Sequence, residues 1–427
     1  MIDIKLLRQD ADKVRSALAR RLDPALDATV ERLAELDRRR RDALVRTEAL
    51  KARRNAATEE VARRKKAKEP ADDLLAELKQ SSDEVKQLDA EVRTIEGDLD
   101  ALLLTVPNLP HPDSPDGDAT ANRVVKQVGE LPRFPWTPKP HWELGQALGL
   151  FDLARGAKIA GSGFPLFTGA GARLVRALKN FMLDLHTREH GYEEIVPPLL
   201  VNRTSMTGTG QLPKFEEELY LATADDLFLL PTAEVPVTNV YRDDILDGAK
   251  LPLGMCAFTP CFRREAGAAG KDTRGLIRVH QFDKVELVRY CRPEDSEAEH
   301  EKMTRHAETV LERLEIPYRR LALAAGDTGF ASARTFDLEV WAAGVGTWLE
   351  ASSASTFTDF QARRANIRFR REPGGKPEFV HTLNASGVAF PRTIIALLEN
   401  NQQGDGSVTL PKALVPYVGT ERLVPGA

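Results

Sequence analysis

The stretch Cys261–Leu287, CFRREAGAAGKDTRGLIRVHQFDKVEL, reads as a strand, a glycine-rich loop and a second strand. Alternate residues of an extended strand share a face, so Arg278, His280, Phe282, Lys284 and Glu286 are expected on one side. Ile277, Val279, Val285 and Leu287 fall on the other. Arg263 and Glu265, two apart on the facing strand, share a side in the same way. Antiparallel pairing then gathers arginines, an aromatic ring and carboxylates on one sheet surface. Arginine grips phosphate through paired hydrogen bonds, a ring stacks on a base, and a carboxylate anchors an amine. A solvent-facing hairpin laced with cross-strand ion pairs would carry the same residue types.

Around this hairpin, the runs EEIVPPLLV, LFLLPTAEVPVTNV and TFDLEVWA are β-rich and alternate with Pro/Gly turns. Helices are expected near Gly171–Glu189 and in SEAEHEKMTRHAETVLERL, residues 296–314. Strands with few intervening helices predict an α+β domain built on an antiparallel sheet flanked by helices.

The N-terminal quarter is different. Between Leu26 and Leu104 the only glycine is Gly97 and the only proline is Pro70, in a segment dense in Ala, Leu, Glu, Arg and Lys. Leu78, Val85, Val92 and Leu99 recur every seven residues, with Leu74, Ser81, Leu88, Ile95 and Leu102 as a companion series. Leu33, Leu36, Ala43 and Leu50 follow the spacing less cleanly. This predicts an antiparallel α-helical coiled-coil hairpin broken at Pro70, each helix about 35 to 40 residues long. The first half is rich in Lys and Arg and the second in Asp and Glu. Opposite charges flanking one seam account for that split. A second reading has Arg53, Arg54, Arg63, Arg64, Lys65, Lys66 and Lys68 near the tip meet phosphates, and the two are compatible. The proline-dense VPNLPHPDSPDGDA then ends the arm, which gives an arm at 1–112, a main domain at 113–427 and a linker at 113–140.

Composition excludes several classes. At 427 residues the chain needs more than one folding unit, and its net charge of -4 puts any nucleic-acid surface in a local patch. No apolar run reaches the ~18 residues of a membrane span, and the charged start lacks the apolar core of a secretory signal, so a cytoplasmic protein is expected. Cys256, Cys261 and Cys291 fit neither a disulfide framework nor a paired zinc motif. There is no phosphate loop, since Gly374-Gly375-Lys376 is followed by Pro377, and GSGFPLFTGAG at Gly161–Gly171 reads as turns. Any bound nucleotide is therefore held by side chains.

FRREAG followed by TRGLIRVHQFDKVE resembles motif 2 of class II aminoacyl-tRNA synthetases, in the form used by seryl-tRNA synthetases. HGYEEIVPPLLVN, with Pro198, resembles motif 1, a dimer element of that class. PTAEVPVTN resembles the serine loop, FDLEVW and LEASSASTFTDFQARR the metal and ATP strand, and HTLNASGVAFPRTIIALLENNQQ motif 3. The N-terminal hairpin is similar to the family's tRNA-binding arm, so the resemblance covers essentially the whole chain.

The resemblance implies a serine pocket of Thr232, Glu234, Glu286 and Ser386 with Asn384 beside it. It implies an ATP site with Arg263 on the α-phosphate, Glu265 at the adenine amino group, Phe282 stacked on adenine, and Arg278 and Arg392 on the outer phosphates. Arg263, Arg392 and Glu350 would carry the chemistry, and Glu350 and Ser353 would hold Mg2+. Three residues apart, those two ligands lie on opposite faces of a regular strand, so a bulge or strand end is expected there. The implied partners are ATP, L-serine, a second copy of the chain, and tRNA(Ser), with tRNA(Sec) left open as a second acceptor; no membrane is involved. His280 reads as a hydrogen-bonded structural residue rather than a base. Arg264, Asp283, Ala354, Ala385 and Phe390-Pro391 depart from the family's common wording, and Ala385 is the change expected to bear on the pocket. Two other readings stand beside this one. A carrier-protein ligase would lack the arm, and a non-catalytic tRNA-binding paralogue would have lost one of Arg263, Glu286, Glu350 or Arg392.

Overall fold

The structure is a computed structural model that describes residues 1–266 and 274–425. Two compact units result, one of Ile2–Ala19 and Asp23–Val106, the other of Met1, Arg20–Leu22 and Pro107–Ala427.

In the first unit, the short helices Ile4–Gln9 and Ala11–Ala19 precede α1 (Ala25–Ala67) and α2 (Asp72–Leu103). The two long helices have 43 and 32 residues, less equal than the spacing predicts. Helix α1 ends at Lys68, in the left-handed region at φ 56°, just before Pro70. Proline disfavours helical geometry in the residue before it, which places the break. The seam buries Val30, Leu33, Leu36, Ala43, Ala57 and Val61 of α1 against Val85, Leu88, Val92, Ile95, Leu99 and Leu103 of α2. Leu103, not the expected Leu102, closes the seam, because a helix of 3.6 residues per turn drifts against a seven-residue repeat. Opposite charges flank it as expected: Arg40 pairs with Glu96 at 2.7 Å, Lys51 with Asp89 at 3.1 Å and Arg53 with Glu77 at 2.6 Å. Buried Asp37 of α1 ties the helix Ile4–Gln9 on through Arg8 and also accepts from Arg41 of its own helix. Burial pushes its carboxyl up, but those two guanidinium groups outweigh burial and hold it below its usual range.

The second unit is built on eight strands: β1 (Arg123–Val128), β2 (Glu193–Glu194), β3 (Leu253–Phe262), β4 (Gln281–Cys291), β5 (Tyr318–Ala322), β6 (Arg334–Ala342), β7 (Thr347–Thr358) and β8 (His381–Ala389). They lie in the order β1-β5-β6-β7-β8-β4-β3-β2, antiparallel except where β2 joins β3. Helices α3 (Gly169–Arg188), α4 (Ser296–Arg313) and α5 (Phe390–Asn400) are packed into one apolar core with this sheet. Leu178, Met182, Val310 and Leu397 meet Val285, Leu287, Leu338 and Ala385 there. The other face of β4 carries Lys284 and Glu286 and then Val288 and Tyr290, which are buried in a second apolar core.

Three expectations need correction. The segment 113–140 is not simply a linker, because it contributes β1, an exposed edge strand whose partner Tyr318–Ala322 is remote in sequence. PTAEVPVTN is not a strand: Glu234–Thr238 is a short helix, with the strand Leu227–Leu229 ahead of it. Leu276–His280 lies outside β4, which starts at Gln281, so strand alternation does not govern Arg278 or His280. The glycine-rich loop expected in between falls mostly outside the described residues.

Candidate active site

Strands β3 and β4 pair with Glu286 opposite Ala257 and Phe282 opposite Cys261, so Phe282, Lys284 and Glu286 follow one another at alternate positions of β4. On its other side β4 pairs with β8, where Glu286 faces Ser386 and Val288 faces Asn384. The pairing slips between Lys284 and Glu286: β8 carries an extra residue in the Gly387–Val388 region, with Val388 at φ 88°. Strand β7 also bulges, since Leu338 faces Ser352 while Glu339 faces Glu350. Ala351 is the extra residue, and it puts Glu350 and Ser353 on one cavity.

A buried polar cluster forms at the centre. Glu286 is fully buried. Its Oε1 accepts from Asn384 Nδ2 at 2.9 Å and its Oε2 from Thr232 Oγ1 at 3.1 Å. Lys284 forms an ion pair with Glu286 and donates to Thr232 Oγ1 at 3.0 Å. Glu234 accepts from Gln361 Nε2 at 2.6 Å and from Asn384 Nδ2 at 3.1 Å. Burial, then the charge of Glu286, push the Glu234 carboxyl up to about 7. A cavity of about 420 Å³ opens on Thr232, Glu234, Lys284, Asn384 and Ser386, with Glu350 and Ser353 at its wall.

An adjoining cavity of about 80 Å³ is lined by Arg263, Glu265, Arg278, Phe282, Glu350 and Arg392. It shares Arg263, Lys284, Glu350 and Ser386 with the first. The Arg263 guanidinium lies 5.2 Å from the centre of the Phe282 ring, and Arg278 pairs with Glu265. Arg392 donates to the Glu350 carbonyl at 2.5 Å and sits 3.5 Å from its carboxylate. One cavity is thus cationic with a flat aromatic wall, and the other is acidic and tightly hydrogen-bonded. Of the residues assigned to ATP from the sequence, only Ser353 lies apart from the cationic cavity, on the acidic one.

Near Ser353, Asp337 is its register partner, and Asp337 Oδ1 is buried without a hydrogen-bond partner. Burial, then the charge of Glu350, hold the Asp337 carboxyl well above its usual range. Among the described residues no three His, Cys, Asp or Glu side chains are gathered around an ion site. His280 stacks on Phe164 at 5.4 Å and its Nδ1 is 2.9 Å from the Arg263 carbonyl, a structural position. Ala385 does not bear on the pocket as its position suggested. It is fully buried on the core side and faces Ala354 across the β7–β8 pair, so two departures from the family's wording meet as one small-residue contact. Pro391 sits in the first turn of α5, where a missing donor is harmless.

Two residues that hold the buried carboxylates, Gln361 and Lys284, had no role assigned from the sequence. Gln361, in the DFQARR run, gave no local signal. Lys284 did, standing two residues before Glu286 on the polar face of the strand. On the arm, Arg53 is paired with Glu77, Arg63 with Glu60, and Arg64 with Glu60 and Asp73. Arg54, Lys65, Lys66 and Lys68 make no ion pair among the described residues, which leaves these four cations open to phosphate.

Residues 1–110 match the family described as the seryl-tRNA synthetase N-terminal domain, and residues 215–401 match the tRNA synthetase class II core domain (G, H, P, S and T). The serine–tRNA ligase of Gemmatimonas aurantiaca is 58% identical over 98% of this chain and 99% of its own. The chain belongs to the seryl-tRNA synthetase family. Another serine–tRNA ligase, from Carboxydothermus hydrogenoformans, is 53% identical over 99% of each chain. The seryl-tRNA synthetase of Pyrococcus horikoshii, solved in complex with ATP, superposes with a TM-score of 0.96 at 38% identity, with all of both chains covered. The cytoplasmic serine–tRNA ligase of Naegleria fowleri, solved with AMP, gives 0.89 at 29% identity, covering 100% of this chain and 99% of that one. Like other seryl-tRNA synthetases, this one joins a long helical hairpin to an antiparallel catalytic sheet. No helix among its described residues is long and apolar enough to cross a membrane.

Proposed function

We propose that the chain is a serine–tRNA ligase that uses ATP to convert L-serine to seryl-adenylate and then transfers serine to the 3′ end of tRNA(Ser). The observation that carries this is the junction of the two cavities, where a buried carboxylate cluster meets a set of arginines across Lys284 and Ser386. The serine ammonium is placed at Glu286 and Glu234, with Thr232, Asn384 and Ser386 around it. Polar partners for the serine hydroxyl reject alanine, because an analogue without it leaves them unpaired. Arg263 takes the α-phosphate, Phe282 stacks on adenine with Glu265 at its amino group, and Arg278 and Arg392 take the outer phosphates. The serine carboxylate oxygen attacks the α-phosphorus, the bond to the β-phosphate oxygen breaks, and pyrophosphate leaves. The terminal tRNA hydroxyl then attacks the seryl carbonyl, and AMP leaves. Positioning and charge stabilisation carry both steps without a covalent protein intermediate.

Magnesium fits this site. Glu350 and Ser353 supply hard oxygen ligands, and the unpaired Asp337 Oδ1 beside Ser353 is the kind of atom a nearby cation satisfies. So few protein ligands suit an ion that shares its shell with substrate phosphates. When bound, it would neutralise phosphate charge. Two chains acting together, each arm serving tRNA at the other's site, complete the proposal, and tRNA(Sec) stays open as a second acceptor.

The test is serine-dependent exchange of pyrophosphate into ATP, run beside alanine, glycine, threonine and cysteine, then charging of total tRNA. Exchange with serine and charging of tRNA(Ser) are expected, and Arg263→Ala or Glu350→Ala should abolish exchange. Exchange without charging would favour a carrier-protein ligase, and no exchange would leave a tRNA-binding paralogue.

A further inference from the structure

Lys284 is the one charged member of the buried cluster that the assigned chemistry does not use. Its side chain is 7% exposed and that of Glu286 is fully buried. Glu286 accepts from Asn384 at Oε1 and from Thr232 at Oε2, and beside that second pair both Oε2 and Thr232 Oγ1 keep a lone pair for a cation. Lys284 takes both. A substrate ammonium placed at Glu286 needs the same two atoms, and two ammonium groups crowded on one buried carboxylate repel strongly.

We propose that Lys284 is a built-in surrogate for the substrate ammonium: serine displaces its Nζ from Glu286 and Thr232, and the freed amine turns into the cationic cavity. This rests on the serine-pocket reading above. The place of Lys284 permits the movement. It lies on β4 midway between Phe282 and Glu286 and lines both cavities. Rotation about its four-carbon stem carries the charge from one to the other with the strand fixed. The slip of β8 beside it interrupts the regular pairing opposite Val285. Other charged groups facing the pair are Glu234 from the short helix Glu234–Thr238, Arg263 after β3 and Glu350 of β7. Two of those are acidic, so exchanging one ammonium for another holds the pocket's charge constant. In the cationic cavity the amine would stand where the serine carboxylate and the α-phosphate, both anionic, have to meet. There it lowers their repulsion. The pocket would thus admit the amino acid and, by the same exchange, set a cation at the reacting centre.

The test uses serinamide, which keeps the ammonium and hydroxyl of serine but lacks the carboxylate. Lys284→Met should bind serinamide at least about tenfold more tightly than the natural protein, by calorimetry at about pH 7, where the probe's amine is still charged, because no internal cation must be displaced. Its serine-dependent exchange should lose at least about a hundredfold in kcat. Unchanged or weaker serinamide binding by a folded Lys284→Met protein would overturn the proposal and make Lys284 a fixed structural partner. A measurement free of variants uses the natural protein, with reductive methylation by formaldehyde and mapping by mass spectrometry. Serinamide's own amine consumes reagent, so labelling is read as a ratio: saturating serinamide should raise labelling of Lys284 relative to the exposed Lys65 and Lys66, and an unchanged or reduced ratio would overturn the proposal. Lack of serine-dependent exchange in the natural protein would remove the serine-pocket reading itself, an outcome distinct from either of these.

Discussion

Glu234 carries a proton near neutrality because it is buried and because Glu286 is charged beside it. Its carboxyl titrates near 7 in the folded chain against a usual 4.5, so across that window the folded state holds a proton the unfolded chain has lost. Its contribution to stability therefore falls as pH rises from about 4.5 to about 7. Binding runs the other way, since an ammonium is held better by the ionised carboxylate. The KM for serine in pyrophosphate exchange should fall as pH rises from about 6 to about 8, and Glu234→Gln should flatten that profile. A flat profile in the natural protein would show that Glu234 does not sense the substrate's charge. Ala385 gives a second prediction at this scale. Its methyl lies in the core against Ala354, so Ala385→Gly should lower stability by about 1 kcal/mol in thermal melts and leave the KM for serine unchanged.

Where α3 ends and the chain turns into β2, three imidazoles gather. His186 Nδ1 is 3.0 Å from His190 Nδ1, His190 stacks on His306 at 4.0 Å, and His306 Nδ1 meets the Tyr192 hydroxyl at 3.1 Å. Burial first, then the neighbouring imidazole charge, push His186 and His306 down to about 3. The unfolded chain takes up these protons near 6.5, so stability should be lost as pH falls from there toward 3. His306→Gln should lessen that acid sensitivity, as melting temperature against pH would show. The same corner reaches the catalytic sheet, because a Cβ on Gly387, next to Ser386, would lie 2.8 Å from His186 Nε2. In the arm, Ile95 is 2% exposed at the seam, and Ile95→Ala should cost about 2 to 5 kcal/mol of that unit's stability. The arm was legible because a heptad repeats one local spacing. The helix at Glu234–Thr238 was not, because its β-branched residues and proline read as strand and only packing of Val235 and Val237 in two separate cores holds it helical.

At the scale of the whole chain, a net charge of -4 forbids general attraction to nucleic acid, so phosphate contacts must come from patches such as Arg54, Lys65 and Lys66. Reversing Lys65 and Lys66 to Glu should raise the KM for tRNA and leave pyrophosphate exchange unchanged, and added salt should do the same to the natural protein. Deleting residues 30–100 should likewise spare exchange and abolish charging, whereas charging by the armless protein would overturn the arm's role. By itself the sequence determined the helical hairpin, the antiparallel sheet, and the polar face of β4 that carries Phe282, Lys284 and Glu286. Each of these follows from a period of two or seven residues, which near-neighbour geometry enforces whatever the rest of the chain does. Only the tertiary structure decided that Gln361 meets Glu234, that Ala385 turns into the core, that β1 comes from the supposed linker, and that Lys284 claims Glu286. Such pairings join positions far apart in the chain, and they depend on strand register, on single-residue bulges and on which face the core covers, none of which a local pattern encodes.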